Sequence, residues 1–309
     1  MRKYWINYLI IISCFMLIFS CQEKKKNAKF KVVTTTNMIS DLLHQIGGDS
    51  IEVVGLMGAG VDPHLYKASE GDVTKLTTAD AIFYSGLHLE GKMVDVFEKM
   101  NKSGYKTFAL SDGLPEKNKI SSANFAGNHD PHIWFSVENW RLAAKFVTKQ
   151  LSTLQPQNKE FFEENLRTYD LDLKSLKEDL NEIASKLPKE KRILVTAHDA
   201  FSYFGKEFDF KVVGLQGIST TAEAGTKDIL DLANFIVEND VPAIFVESSV
   251  PEQTILALKS AVESKDKNVA LGGTLYSDSL GNSGTPEGTY LGMYIYNMST
   301  IVNALNVTE

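Results

Sequence analysis

From residue 30 onward, short apolar runs alternate with amphipathic stretches of about ten residues, the pattern of β–α units and parallel sheets. Runs at 30–34, 51–57, 81–84 and 106–110 predict four strands in the first half of the chain. Those at 192–196, 211–215, 241–246 and 269–275 predict four more in the second. Helical periodicity marks 38–46, closed by Gly47-Gly48, then 69–78 with Ser69 as its cap, and 90–99. Further helices are expected from near Ser136, over 226–238 with Thr226 as cap, and over 290–305. Segments 101–105 and 111–127 read as loops. No short-period repeat is present, yet the two halves share one rhythm.

Between the halves lies an apolar stripe of Phe162, Leu166, Tyr169, Leu173, Leu176, Leu180, Ile183 and Leu187, spaced alternately four and three, on a charged background. Such a stripe marks one long amphipathic helix, bracketed here by Pro156 and Pro188. At ~1.5 Å per residue, about 30 residues reach roughly 45 Å, enough to brace two lobes. The other reading is a coiled-coil dimer seam. About four heptads inside an α/β chain favour the brace, and a brace implies small lobe motions instead of wide hinge closure.

The amino terminus has a different character. Arg2 and Lys3 precede residues 4–19, apolar except for Asn7 and Ser13. That run is short for a membrane span and suits a signal sequence. Ile18-Phe19-Ser20-Cys21 resembles a loose bacterial lipobox, cleaved before Cys21 so that its thiol is lipidated; Phe19 is atypical. A plain secretory signal or an uncleaved anchor helix is the competing reading. Residues 1–20 are then a lipoprotein signal peptide and 21–29 a lysine-rich tether. Cys14 leaves with the signal, so the mature chain keeps one acylated cysteine and no disulfide. The mature charge is −9, from 30 cations against 39 anions, which disfavours nucleic acid and mildly favours cations.

With 309 residues, 43% hydrophobic and 23% charged, the chain is long enough for two cored domains. The chemistry is carried by Asp62-Pro63-His64, Asp130-Pro131-His132, Ala197-His198-Asp199 and Tyr276-Ser277-Asp278. His64, His198 and Asp278 follow expected strands and His132 precedes an expected helix, where open parallel sheets place their ligands. Three imidazoles and a carboxylate complete one shell for a divalent transition ion. Each Asp-Pro-His turn also restricts the backbone before its histidine. His129 competes with His132 for its place, while His44 and His88 read as structural. A metal-bound imidazole needs an acceptor for its other N–H. Glu247, ending a strand, is the best candidate, with Asp199 and Ser277 behind it.

The chain resembles the metal-binding solute-binding lipoproteins of ABC importers, cluster A-I, the TroA-like zinc- and manganese-binding group. The resemblance rests on Asp-Pro-His-Leu-Tyr from Asp62, Gly-Leu-His-Leu-Glu from Gly86 and Asp-Pro-His-Ile-Trp from Asp130. Thr-Ala-His-Asp-Ala-Phe from Thr196, Gly-Leu-Gln-Gly-Ile-Ser-Thr from Gly214 and Leu-Tyr-Ser-Asp-Ser-Leu from Leu275 extend it, in order, over roughly 29–305. It implies an α/β fold of two (βα)4-like lobes with parallel sheets, 30–155 and 189–309, joined by one long α-helix in 156–188. It also implies an ion at the lobe interface held by His64, His132, His198 and Asp278. The expected role is high-affinity capture of Zn2+ or Mn2+ outside the cytoplasmic membrane, on the periplasmic or cell-surface side. Delivery would be to an ABC permease with its ATPase, by a lipid-anchored monomer. In the manganese-selective branch the third ligand is typically glutamate; His198 in that slot shifts preference toward zinc. The His-rich loop of the dedicated zinc branch is absent, since 112–131 holds only His129.

A metal-dependent hydrolase and a surface adhesin are the alternatives. Catalytic zinc usually keeps three protein ligands and an open position, and neither HExxH nor GxSxG occurs. Nothing in the residues points independently to cell adhesion.

Overall fold

A computed structural model describes residues 29–121 and 127–307; the expected signal sequence, Cys21 and most of the tether lie outside them. The first half runs β1 (Phe30–Thr34), α1 (Asn37–Gly47), β2 (Ile51–Gly55), α2 (Glu70–Thr77), β3 (Ala81–Tyr84), α3 (Val94–Lys102), β4 (Thr107–Ala109) and α4 (Val137–Leu154). Its sheet has the order β2-β1-β3-β4, with β3 parallel to β1 and β4. The 27-residue α5 (Lys159–Ser185) follows. The second half holds β5 (Ile193–His198), α6 (Ser202–Phe208), β6 (Lys211–Gln216), α7 (Thr226–Glu238), β7 (Ala243–Glu247), α8 (Gln253–Glu263), β8 (Ala270–Leu275) and α9 (Tyr290–Leu305).

The strands fall where the apolar runs put them, but the second half pairs differently from the first. β5–β6 and β7–β8 are separate parallel ladders, with β5 lying beside β7. At the carboxyl ends of β5 and β7 the His198 N–H goes to the Glu247 side chain, 2.8 Å away, in place of a ladder carbonyl. Ser69 caps α2 as its sequence suggests: its Oγ accepts the Asp72 N–H at 3.2 Å and Asp72 accepts the Ser69 N–H at 3.0 Å. Thr226 is the first residue of α7, not its cap; Gly225 precedes it and gives its N–H to Asp228 at 2.8 Å. The helix expected over 90–99 starts at Val94, because Gly86, Leu87 and His88 have φ of 85°, 52° and 65° and turn the chain left-handed. Two helices escaped the pattern. The short α6, seven residues long, buries Tyr203, Phe204, Gly205 and Phe208 and spans too few turns to set a period, whereas Ile255, Leu258 and Val262 of α8 have a legible helical spacing.

The long stripe is used within the chain. Phe162, Tyr169, Leu173, Leu176 and Leu180 are buried as α5 packs on α1, α4 and α9, and Leu187 is buried just past the helix end. Leu166 and Ile183 are partly covered. This packing answers the coiled-coil reading, since the apolar face is already occupied by the chain's own helices. Trp140 Nε1–H donates to Tyr169 Oη at 3.1 Å, and Arg141 clamps Asp170 with Nε to Oδ1 at 2.7 Å and Nη2 to Oδ2 at 3.1 Å. No helix among the described residues is long and apolar enough to cross a membrane.

The halves also exchange helix caps. The Val137 N–H that opens α4 donates to Glu207 Oε2 of α6 at 3.2 Å, and the Tyr290 N–H that opens α9 donates to Asp41 Oδ2 of α1 at 3.0 Å. Both helix amino termini thus meet a carboxylate from the other half, which suits the dipole and satisfies an otherwise orphaned donor.

The α4–α5 clamp has a pH signature. Arg141, then Lys174, hold the Asp170 carboxyl down at about 2 from its ordinary 3.8. A lowered carboxyl pKa contributes stability that is complete above the unfolded value and lost as pH falls through the folded one. Asp170→Asn is therefore expected to destabilise the protein at neutral pH, with the deficit vanishing between pH 4 and pH 2 in denaturant titrations. A deficit that stays constant over that range would contradict this account.

Candidate metal centre

Four connections deliver one residue each to a common point. His64 lies in the loop after β2, His132 shortly before α4, His198 at the last position of β5, and Asp278 three residues past β8. All four are at most 2% exposed. The imidazole centroids are 5.3–5.8 Å apart. Asp278 Oδ2 lies 3.3 Å from His198 Nε2 and 3.8 Å from His64 Nε2, while Oδ1 is 3.4 Å from His132 Nε2. One nitrogen or oxygen from each residue falls within 4.8 Å of all the others.

The three Nε2 atoms and both Asp278 oxygens have no hydrogen-bond partner among the described residues. An unmatched buried polar atom costs about 1–3 kcal/mol, so five together are a heavy burden for packing alone. A cation relieves all five at once. Neutral nitrogen and anionic oxygen in a 3:1 ratio suit a divalent transition ion.

Local sequence aims the rings. In both Asp-Pro-His turns the aspartate Oδ1 accepts the histidine N–H two residues on, at 2.8 Å for Asp62–His64 and 2.9 Å for Asp130–His132. Asp130 Oδ1 also faces His132 Nδ1 at 2.7 Å, and Glu247 Oε2 faces His198 Nδ1 at 2.5 Å. Each carboxylate makes Nδ1 the donor and turns Nε2 toward the centre. Gly214 lets β6 approach this turn: a Cβ there would sit 2.4 Å from Asp199 N.

His64 is arranged differently. Its Nδ1 has no partner among the described residues, and the second oxygen of Asp62 accepts Thr220 Oγ1–H at 2.6 Å. Asp199 accepts Ser202 Oγ–H at 2.9 Å, and Ser277 Oγ meets Ser249 Oγ at 3.0 Å; among the described residues neither bonds an imidazole. The orienting role of Asp130 escaped sequence reading, although the repeated Asp-Pro-His string was visible; the two turns share a backbone bond and differ in whether the ring turns back onto the carboxylate. His129 stands apart, 2.6 Å from Glu116 on the surface, and His44 and His88 are exposed.

Burial pushes His64 down to about 3, which keeps it neutral. Burial acts the same way on His198, but Glu247 and Asp278 together outweigh it and raise that imidazole well above its ordinary value. Burial would raise Asp278; His198, His132 and His64 instead hold it below the usual carboxylate range. The centre thus offers an ionised carboxylate, a neutral His64, and a proton on His198 that an arriving cation displaces.

The model of the family described as zinc-uptake complex component A, periplasmic, matches residues 32–304. The manganese-binding lipoprotein MntA of Bacillus subtilis (strain 168) is 44% identical over 282 residues, covering 91% of this chain and 92% of that protein. The zinc-binding protein TroA of Treponema pallidum (strain Nichols) is 42% identical over 295 residues, covering 96% and 95%. The solved structure of periplasmic zinc-binding TroA from Treponema pallidum aligns with a TM-score of 0.87 at 44% identity, over 90% of this chain and 99% of that one.

The pairing of His198 with Glu247 can be read directly. Glu247→Gln removes a charge that raises the imidazole, so in metal-free protein the His198 ring is expected to titrate at lower pH than in the parent. Two-dimensional NMR of the imidazole nitrogens checks this; an unchanged midpoint would show that Glu247 does not tune the ring.

Proposed function

The chain belongs to the zinc-uptake complex component A family, the cluster A-I metal-binding proteins of ABC importers, and from that premise we propose that it captures one Zn2+ or Mn2+ ion outside the cytoplasmic membrane and hands it to a membrane permease whose ATPase drives import. His64, His132, His198 and Asp278 serve as the ligands, while Asp130 and Glu247 orient two of the rings. The observation that carries the assignment is the convergence of buried nitrogen and oxygen atoms lacking other partners. Residues 30–155 and 189–309 act as the two lobes and 156–188 as their link. Residues 1–20 serve as the signal peptide and 21–29 as the tether. Cys21 carries the lipid anchor, a reading supported by the lipoprotein descriptions of the Bacillus and streptococcal relatives. The protein works as a monomer, the apolar face of its long helix being filled from within.

Loading deprotonates His198, so ion uptake releases a proton and weakens as pH falls. Four protein ligands, with Asp278 offering both oxygens, close the coordination shell. That suits holding an ion better than activating water on one, in keeping with a family of metal-transport proteins, not of enzymes. Three nitrogens favour zinc over manganese, which the Irving–Williams order already ranks lower. The two relatives, one described as manganese-binding and the other as zinc-binding, fit a site that takes both.

The parent protein is expected to bind one zinc per chain. His198→Ala should lower zinc affinity by more than about 100-fold, equivalent to about 2.7 kcal/mol, and His129→Ala should leave it unchanged. Chelator competition measures both, and equal losses would overturn the ligand assignment. His198→Glu, combined with Glu247→Gln to avoid two buried carboxylates in contact, should move the zinc-to-manganese affinity ratio toward manganese. An unmoved ratio would refute the nitrogen-count argument.

A further inference from the structure

With all four side chains of the centre at most 2% exposed, an ion reaches them only when part of the seam between the halves moves. A rigid bracing helix leaves that motion to be local. The seam is fastened unequally around the site. On one side the bonds engage backbone on either flank of Asp278. Asn37 Nδ2–H donates to Leu280 O at 3.1 Å while Asn37 Oδ1 accepts the Leu280 N–H at 2.9 Å, and Trp134 Nε1–H donates to Ser277 O at 2.9 Å. On the other side the contact is between side chains: Thr220 Oγ1–H donates to Asp62 Oδ2 at 2.6 Å. Thr220 belongs to the 217–225 connection between β6 and α7, which contains neither helix nor strand.

Beside that pair lies a cavity of about 410 Å³ whose wall includes Asp62, Leu65, Gln216, Thr220 and Ala224. At about 30 Å³ per water, a six-fold hydrated cation occupies roughly 180 Å³, so the space accommodates one. Gln216 pairs in register with His198 on the adjacent strand. It is 8% exposed, and its Oε1 has no hydrogen-bond partner among the described residues. A buried amide oxygen without a donor is a ready ligand for a cation shedding water.

We propose that this cavity is the port by which the ion enters and leaves the metal centre, with the Thr220–Asp62 hydrogen bond as its latch and Gln216 Oε1 as an oxygen met on the way. The inference rests on the metal-capture reading. An approaching divalent cation competes with Thr220 for Asp62. Once the bond is broken the 217–225 connection is free to move outward, and the ion exchanges waters for the imidazole nitrogens behind Asp62. Return of Asp62 to Thr220 shuts the port without a change in lobe orientation.

The test uses the zinc-loaded full chain, with release into excess chelator followed by stopped flow and zinc affinity measured at equilibrium. Thr220→Val keeps the side-chain shape and removes the donor. Loss of a hydrogen bond to a charged group is worth roughly tenfold or more in rate, so release and uptake should both quicken about tenfold while affinity changes much less. Ala224→Phe, which fills the cavity, should slow both. Asp41→Ala breaks a contact between the halves remote from the cavity and should leave the rates at parental values. Unaltered release in Thr220→Val, or equal acceleration in Asp41→Ala, would overturn the port. Failure of the parent to bind one zinc per chain would instead overturn the metal-capture reading.

Discussion

A buried carboxylate and three imidazole Nε2 atoms that face one another without hydrogen-bond partners are costly in a dry interior, a cost that one shared cation removes, and much of this protein's architecture bears on that condition. Asp278 and the Nε2 atoms of His64, His132 and His198 come from four separate connections. They converge because both sets of strands point their carboxyl ends at the same seam. Fixing them there takes second carboxylates, Asp130 and Glu247, that hold two rings in one orientation. Side chains ordered in this way before any ion arrives lower the entropy cost of binding one.

The same condition explains the breadth of the seam. Keeping four polar side chains dry requires the halves to stay pressed together, and the contacts that do so involve long reaches of sequence: Asn37 to Leu280, Trp134 to Ser277, Tyr294 Oη–H to Phe135 O at 2.6 Å. Behind them the long helix seats its apolar face on helices from both halves. Rigidity at this level and passage of an ion are opposed demands. A structure that meets both needs a weak point small enough to open alone, and the irregular 217–225 connection is of that scale.

Much of this was legible in the chain. Apolar runs located the eight strands, and the stripe from Phe162 to Leu187 marked the long helix, because burial against a single face imposes a period that survives in sequence. The four clustered residues were legible through position: each stood at the end of a strand or in a turn that freezes the backbone. What stayed hidden depends on side-chain rotamers and on backbone signs. The ring of His132 folds back onto Asp130 while that of His64 does not reach Asp62, although both share Asp-Pro-His. The left-handed turn at Leu87 and His88 displaced a helix start that spacing alone put four residues early. The division of the second half into two ladders, β5–β6 and β7–β8, is likewise something no propensity reports.

The exchanged caps on α4 and α9 bear on the ancestry of the molecule. Glu207 closes a helix of the first half and Asp41 one of the second, so each half supplies the finishing piece of its counterpart. Two halves of similar plan suggest a doubled ancestor, but these are no longer interchangeable units. Neither can be transplanted to a new partner, or expressed by itself, without stripping a carboxylate from a helix start. Separation of the halves would leave both helices with only their own caps, Ser136 and Thr289.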